Sequence, residues 1–154
     1  MRIPTMLKAA FIALIVLAGA GLQEARADSG SITLTSFGST RSGNISYKAN
    51  GTTYTETVGA MLVNYNGVGI SPVFCVDWYT SIGFSTYAST PATAQTAQEG
   101  RVAWLYVNLI SSITTAVKGE AFQLAIWDII HDGGDGLNAG AIRSVSTTPN
   151  AVKT

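Results

Sequence analysis

Two short motifs hold the side chains with chemistry in them. Phe74-Cys75-Val76-Asp77 carries the chain's single thiol, and Phe122-Gln123-Leu124-Ala125-Ile126-Trp127 carries a carboxamide in apolar company, with 47 residues between Cys75 and Gln123. A thiol reacts as its thiolate, whereas a carboxamide is a poor electrophile that yields only to a nucleophile held against it. Each residue also has a bland role: an inert buried cysteine, or a glutamine satisfied by backbone groups. A cysteine hydrolase built from Cys75, His131 and Asp132 requires the imidazole beside the sulfur. His131 follows Gln123 by two turns of the same helical pattern, which puts it away from the expected place of the thiol. Asp132-Gly133-Gly134-Asp135-Gly136 has the composition of a calcium loop. Two carboxylates fall short of calcium's shell of about six to eight oxygens, and a helix-ending turn accounts for the segment. No zinc, nucleotide or flavin motif is present, so no cofactor is expected.

The elements that must position the two motifs differ in kind. From Ser31 to Tyr87 the pattern is short strands and turns, with alternation at Ile32/Leu34 and at Ile45/Tyr47. Asn50-Gly51 predicts a tight hairpin joining Asn44–Ala49 to Thr52–Val58, and Asn66-Gly67 marks a second turn after Met61–Tyr65. Val73–Tyr79 reads as an apolar strand carrying Cys75 and Asp77 on one side, with Ile82–Tyr87 beside it. A Pro/Ala/Thr linker over Ser89–Thr96 separates this part from helical spacing over Gln98–Ser111, where Val102, Leu105, Tyr106, Leu109 and Ile110 are the apolar positions. Trp104 and Trp127 are expected to pack. Gly119 divides off a second helix, Glu120–His131, ended by Gly133-Gly134. Gln123, Trp127 and Ile130 share one face of it, beside the face of Phe122, Ala125, Ile126 and Ile129. The expected fold is α+β: a small antiparallel β-sandwich or barrel-like sheet followed by two packed helices.

The N-terminus reads as a secretory signal peptide over residues 1–27. Arg2 and Lys8 precede the uncharged apolar run Ala9–Leu22, and Ala25-Arg26-Ala27 gives a small-x-small cleavage pattern before Asp28. The run is shorter than the ~20 residues a membrane span needs. The mature chain has 154 − 27 = 127 residues, enough for one domain with a core. It holds six basic and eight acidic residues, because Arg2, Lys8, Arg26 and Glu24 lie in the signal, so its net charge is −2. A nucleic-acid partner is excluded by the lack of a basic patch, and no membrane attachment is expected after cleavage. The expected divisions are 28–88, β-rich with Cys75; 89–136, helical with Gln123; and 137–154, a C-terminal tail without an anchor, the chain being freely secreted or a fragment. A lone cysteine is unusual in an exported chain, where cysteines normally pair.

An aromatic-Cys-apolar motif followed by a helix reading apolar-Gln-x-Ala-apolar-Trp resembles the bacterial thioester domains of surface adhesins. It also resembles exported proteins that end in a sorting tail. The likeness spans about Met61 to Gly136 and extends to Trp104-Leu105-Tyr106. It implies that the Cys75 sulfur attacks the Gln123 carboxamide, ammonia leaves, and a thioester remains. Phe74 and Trp127 would then shield the bond from water and Asp77 would orient the site. The acyl group would capture an amine on a partner protein or surface, once and without turnover, so the chain is read as an adhesion protein and not an enzyme. The competing function is a non-covalent, secreted β-rich binding or matrix/envelope structural protein.

Overall fold

The computed structural model describes residues 30–78, 83–89 and 94–153. The expected signal peptide over residues 1–27 lies outside the described residues. Among those described, the fold is α+β: an antiparallel sheet with helices following it. No helix among them is long and apolar enough to cross a membrane.

The sheet is organised on one long strand, β1 (Gly30–Ala49), which turns at Asn50-Gly51 into β2 (Thr52–Tyr65). Positive φ at Asn50 (46°) and Gly51 (84°), and again at Asn66 (48°) and Gly67 (86°), are the paired left-handed residues of tight hairpin turns. The second turn leads into β3 (Val68–Val73). The order is β3-β2-β1-β4, where β4 (Thr86–Ser89) pairs with residues 30–33 of β1. This differs from the expected Ile82–Tyr87 strand beside the cysteine segment. The observed strand starts at Thr86 and pairs with β1 instead, while Ile82 lies outside the described residues.

β1 and β2 lose register between Phe37 and Ser42, and the extra residues form a bulge closed by the Ser42 hydroxyl donating to the Gly38 carbonyl at 2.8 Å. This bend divides the buried residues into two groups. Ile32, Leu34, Met61 and Val63 make a small cluster on one side. Ile45, Tyr47, Ala49 and Val58 join the helices in the main core on the other. Alternation along β1 holds within each half because each half has one face covered.

Helix α1 (Ala97–Leu109) starts at a capping box in which Thr96 and Glu99 satisfy each other's backbone N–H groups. Val102 is buried and Leu105, Tyr106 and Ile110 pack on the core, but Trp104 is 63 % exposed, against its expected packing role. A 3-10 turn (Ile110–Ser112) leads to α2 (Ala116–Asp132), capped by Thr115 and ended by Gly133 at φ 81°. Helix α2 begins a turn before the expected Glu120, with Gly119 inside it. The bulge explains this: a Cβ at Gly119 would overlap the Arg41 carbonyl oxygen, so the glycine is where the helix touches the sheet.

The polar segment after residue 136 belongs to the core. β5 (Ile142–Ser144) pairs with Tyr47–Ala49 of β1, and a short helix α3 (Asn150–Lys153) follows. Ile142 is fully buried, and Val152 and Thr148 are nearly so.

Candidate functional site

Cys75 lies two residues beyond the end of β3, in an irregular segment. The expected strand over Val73–Tyr79 therefore stops at its first residue. The apolar side chains that suggested it, Phe74, Val76 and Trp78, pack against the main core. Two contacts from the helices fix the segment. Tyr106 of α1 donates its hydroxyl to the Pro72 carbonyl at 2.7 Å, and the Phe74 ring sits 4.8 Å from that of Phe122 on α2.

The third contact is the pairing of Cys75 with Gln123. The Cys75 backbone N–H donates to Gln123 Oε1 at 3.0 Å, and Gln123 Nε2 donates to the Cys75 carbonyl at 2.6 Å. The carboxamide thus takes the place that a neighbouring strand would have held, which is why the backbone can leave the sheet here without orphaned polar groups. Gln123 is 1 % exposed, one of the most buried polar side chains described. Cys75 is a free thiol, and its Sγ donates to the Asp77 carbonyl at 2.8 Å. The cysteine packs on both buried clusters, at the junction between them.

Burial pushes the Cys75 thiol up to about 11; the bond to the Asp77 carbonyl opposes this, and the charges of Asp77 and Glu56 add to it. At neutral pH the sulfur is protonated. Burial raises Tyr47 as well, aided by its hydroxyl's bond to Glu56. His131 is lowered by burial. The Val76 backbone and the charges of Asp77 and Asp132 act against that, and its ring meets Trp78 edge-on at 6.1 Å.

An open cleft of about 200 Å³ is lined by Cys75, Gln123, Trp127, Glu56, Asp77 and Phe84, among others. Trp127, one turn after Gln123, is buried, its ring tilted against that of Tyr47 with centroids 5.4 Å apart; its indole N–H has no acceptor among the described residues. Phe37 and Phe84 also line the cleft, edge-on at 5.7 Å, and both remain exposed (37 % and 57 %). The structure therefore brings four of the sequence-derived site residues, Cys75, Asp77, Gln123 and Trp127, to the cleft, whereas Phe74 is not among its lining and packs against Phe122 and the main core. Asp77 enters through its backbone carbonyl on the sulfur. Glu56 and the Phe37/Phe84 pair had no motif to mark them, because they come from the middle of the sheet and from a loop.

The arrangement has the parts of an acyl transfer within the chain. A hydrogen-bond donor is already set on the carboxamide oxygen, where negative charge would develop under attack at Cδ. The donor belongs to the same residue as the nucleophile, so placing one places the other. Comparison with protein-family models, with curated proteins and with solved structures finds no match for this chain.

Proposed function

We propose that this chain is an exported adhesion protein whose Cys75 and Gln123 form an internal thioester for covalent capture of an amine on a partner surface. One observation carries the reading: the residue that bears the free thiol is paired with a carboxamide only 1 % exposed, both polar ends of which are held by the cysteine's own backbone. To react, the Cys75 thiol leaves the Asp77 carbonyl, loses its proton, and attacks Gln123 Cδ. The Cys75 N–H stays on the oxygen as the tetrahedral adduct forms. The C–N bond then breaks, the nitrogen leaves as ammonia with the thiol's proton, and the acyl group remains on sulfur. A primary amine entering the cleft attacks the same carbon. It forms an amide to residue 123 and returns the thiol, so the bond is made once. The exposed Phe37 and Phe84 offer an apolar rim to the target, and the buried Trp127 limits access of water.

The non-covalent binding or structural protein is favoured by a different aspect of the same geometry. Gln123's carboxamide is satisfied at both ends, so the pairing also explains itself as a structural staple. The two readings part in the mass spectrometer. A thioester makes the protein lighter than its sequence mass by one ammonia; methylamine adds to residue 123 and exposes one thiol. Cys75→Ala and Gln123→Ala each abolish both effects. A carboxamide found intact at Gln123 throughout freshly purified protein overturns covalent capture and leaves the staple.

A further inference from the structure

At the far end of α2 three carboxylates converge. Asp128 and Asp132 are one turn apart on the helix and Asp135 is in the turn after it; each offers an oxygen, and these oxygens all lie within 4.8 Å of one another. The sequence marks only Asp132 and Asp135, too few oxygens for an ion. Asp128 supplies the third carboxylate from inside the helix. It is only 6 % exposed. Its Oδ2 accepts the Gly136 N–H at 3.2 Å, but its buried Oδ1 receives no hydrogen bond from any described residue. Asp132 is used the same way: its Oδ2 accepts from Ala141 and Ile142 N–H at 2.5 and 3.0 Å, and its buried Oδ1 has no partner there. The two carboxyl groups are within hydrogen-bonding reach of each other, yet two carboxylates have no proton to give.

The loop closes over this cluster. A Cβ at Gly140 (φ 73°) would overlap Asp132 Oδ2 and fall 2.5 Å from Asp135 Oδ1, so only a glycine lets the backbone approach the carboxylates. Three negative groups also stand at the helix end where the backbone dipole is itself negative. Their convergence there calls for a positive occupant.

We propose that Asp128, Asp132 and Asp135, under the Gly140 turn, form a binding site for calcium that ties the end of α2 to the start of β5. The donor set is oxygen only, which suits a hard cation. Its irregular loop setting suits calcium's flexible coordination better than magnesium's strict octahedron. The site begins five residues beyond Gln123 on α2 and uses none of the capture residues.

The test uses the full exported chain, stripped with EDTA and titrated with calcium chloride at pH 7.5 and 8.5 by calorimetry and by thermal melting. One calcium should bind, and the melting midpoint should rise by roughly 10 °C once calcium is about a hundredfold above its Kd. Magnesium should shift the midpoint less. Asp128→Asn should melt at least as high as the metal-free parent, having lost a buried charge, yet no longer respond to calcium. Asp135→Asn should bind calcium at least ~10-fold more weakly, and Cys75→Ala should bind it normally. Absence of binding heat and of a calcium-dependent shift at both pH values would leave a shared proton as the occupant and overturn the proposal. A calcium response that persists unchanged in Asp128→Asn would place the ion elsewhere and overturn it equally.

Discussion

A carboxamide that completes a cysteine's backbone hydrogen bonds makes the two residues unequal in their contribution to stability. Gln123→Ala leaves the Cys75 N–H and carbonyl without partners inside the protein and opens a cavity, which should cost roughly 2–4 kcal/mol. Cys75→Ala keeps the same backbone pairing and removes one sulfur, so it should cost only about 1 kcal/mol. Urea unfolding of the two variants checks the order, and a Cys75→Ala loss equal to that of Gln123→Ala would show that the side chain, not the backbone, holds the pair. The buried thiol also has a pH signature. In protein whose Cys75 is a free thiol, alkylation by iodoacetamide should speed up about tenfold per pH unit and level off only near pH 11, as set by the raised pKa. Levelling off near 9.0, the ordinary thiol value, would mean a solvated sulfur. The sign for stability follows. A pKa raised on folding favours the protonated native form, so this contribution is intact below about pH 9 and fades between 9 and 11. Cys75 and Gln123 were legible in the sequence because each sits in a short dense motif. The Cys75 backbone clamp and the third carboxylate, Asp128, were not, since both depend on groups brought in from separate turns of chain.

At the scale of elements, local chemistry was readable where it decides the structure locally. Asn50-Gly51 and Asn66-Gly67 fixed both hairpins, and Thr96 with Glu99 fixed the start of α1. Reading failed where a tertiary contact replaced a local one. Val73–Tyr79 has the composition of a strand, but at Cys75 the pairing partner is the side chain of Gln123, so no strand continues. Gly119 resembles a helix breaker, yet it lies inside α2 because the Arg41 carbonyl of the β1 bulge abuts it. This reverses the usual effect of adding a methyl group. In an isolated helix Gly119→Ala would stabilise by about 1 kcal/mol. Here the new Cβ meets a backbone oxygen that cannot rotate away, so the variant should instead lose roughly 2 kcal/mol or more as α2 shifts off the sheet. Because Gln123 lies one turn further along α2, the same variant should also slow the ammonia loss that the proposed thioester entails, as followed by the mass of protein sampled at intervals after refolding. A Gly119→Ala variant that is more stable and equally reactive would show that the bulge is not the contact that seats α2.

The whole molecule depends on β1, which carries partners along both edges and divides the core in two. Its first half is paired by β2 and β4, and its second half by β2 and β5. The second half underlies α2 and therefore Gln123, so whatever completes it also supports the site. That completion comes from residues 141–153, a segment whose sequence gives little sign of structure: its buried residues, Ile142, Thr148 and Val152, are isolated along the chain with no regular spacing. Within it, Ile142 is fully buried, Val152 is 3 % exposed, and the Thr148 hydroxyl reaches the Ser46 carbonyl of β1 at 2.5 Å. Ala141 and Ile142 further supply the N–H groups that satisfy Asp132. Removing 141–154 would withdraw two large apolar side chains, worth roughly 1.5–3 kcal/mol each, expose Tyr47 and Ala49, and leave the Asp132 carboxylate without its donors. A loss of this size is comparable with the total stability of many domains, about 5–15 kcal/mol. The chain ended at Gly140 should therefore melt far below the full chain, if it folds at all, and bind a hydrophobic dye at room temperature. It should also fail to lose ammonia, although Cys75, Gln123 and every residue of both motifs are still present. Circular dichroism melts and intact mass on the two lengths make the comparison. A shortened chain that melts within a few degrees of the full one and still forms the bond would mean that α1, α2 and the first four strands alone hold the cysteine and the glutamine together.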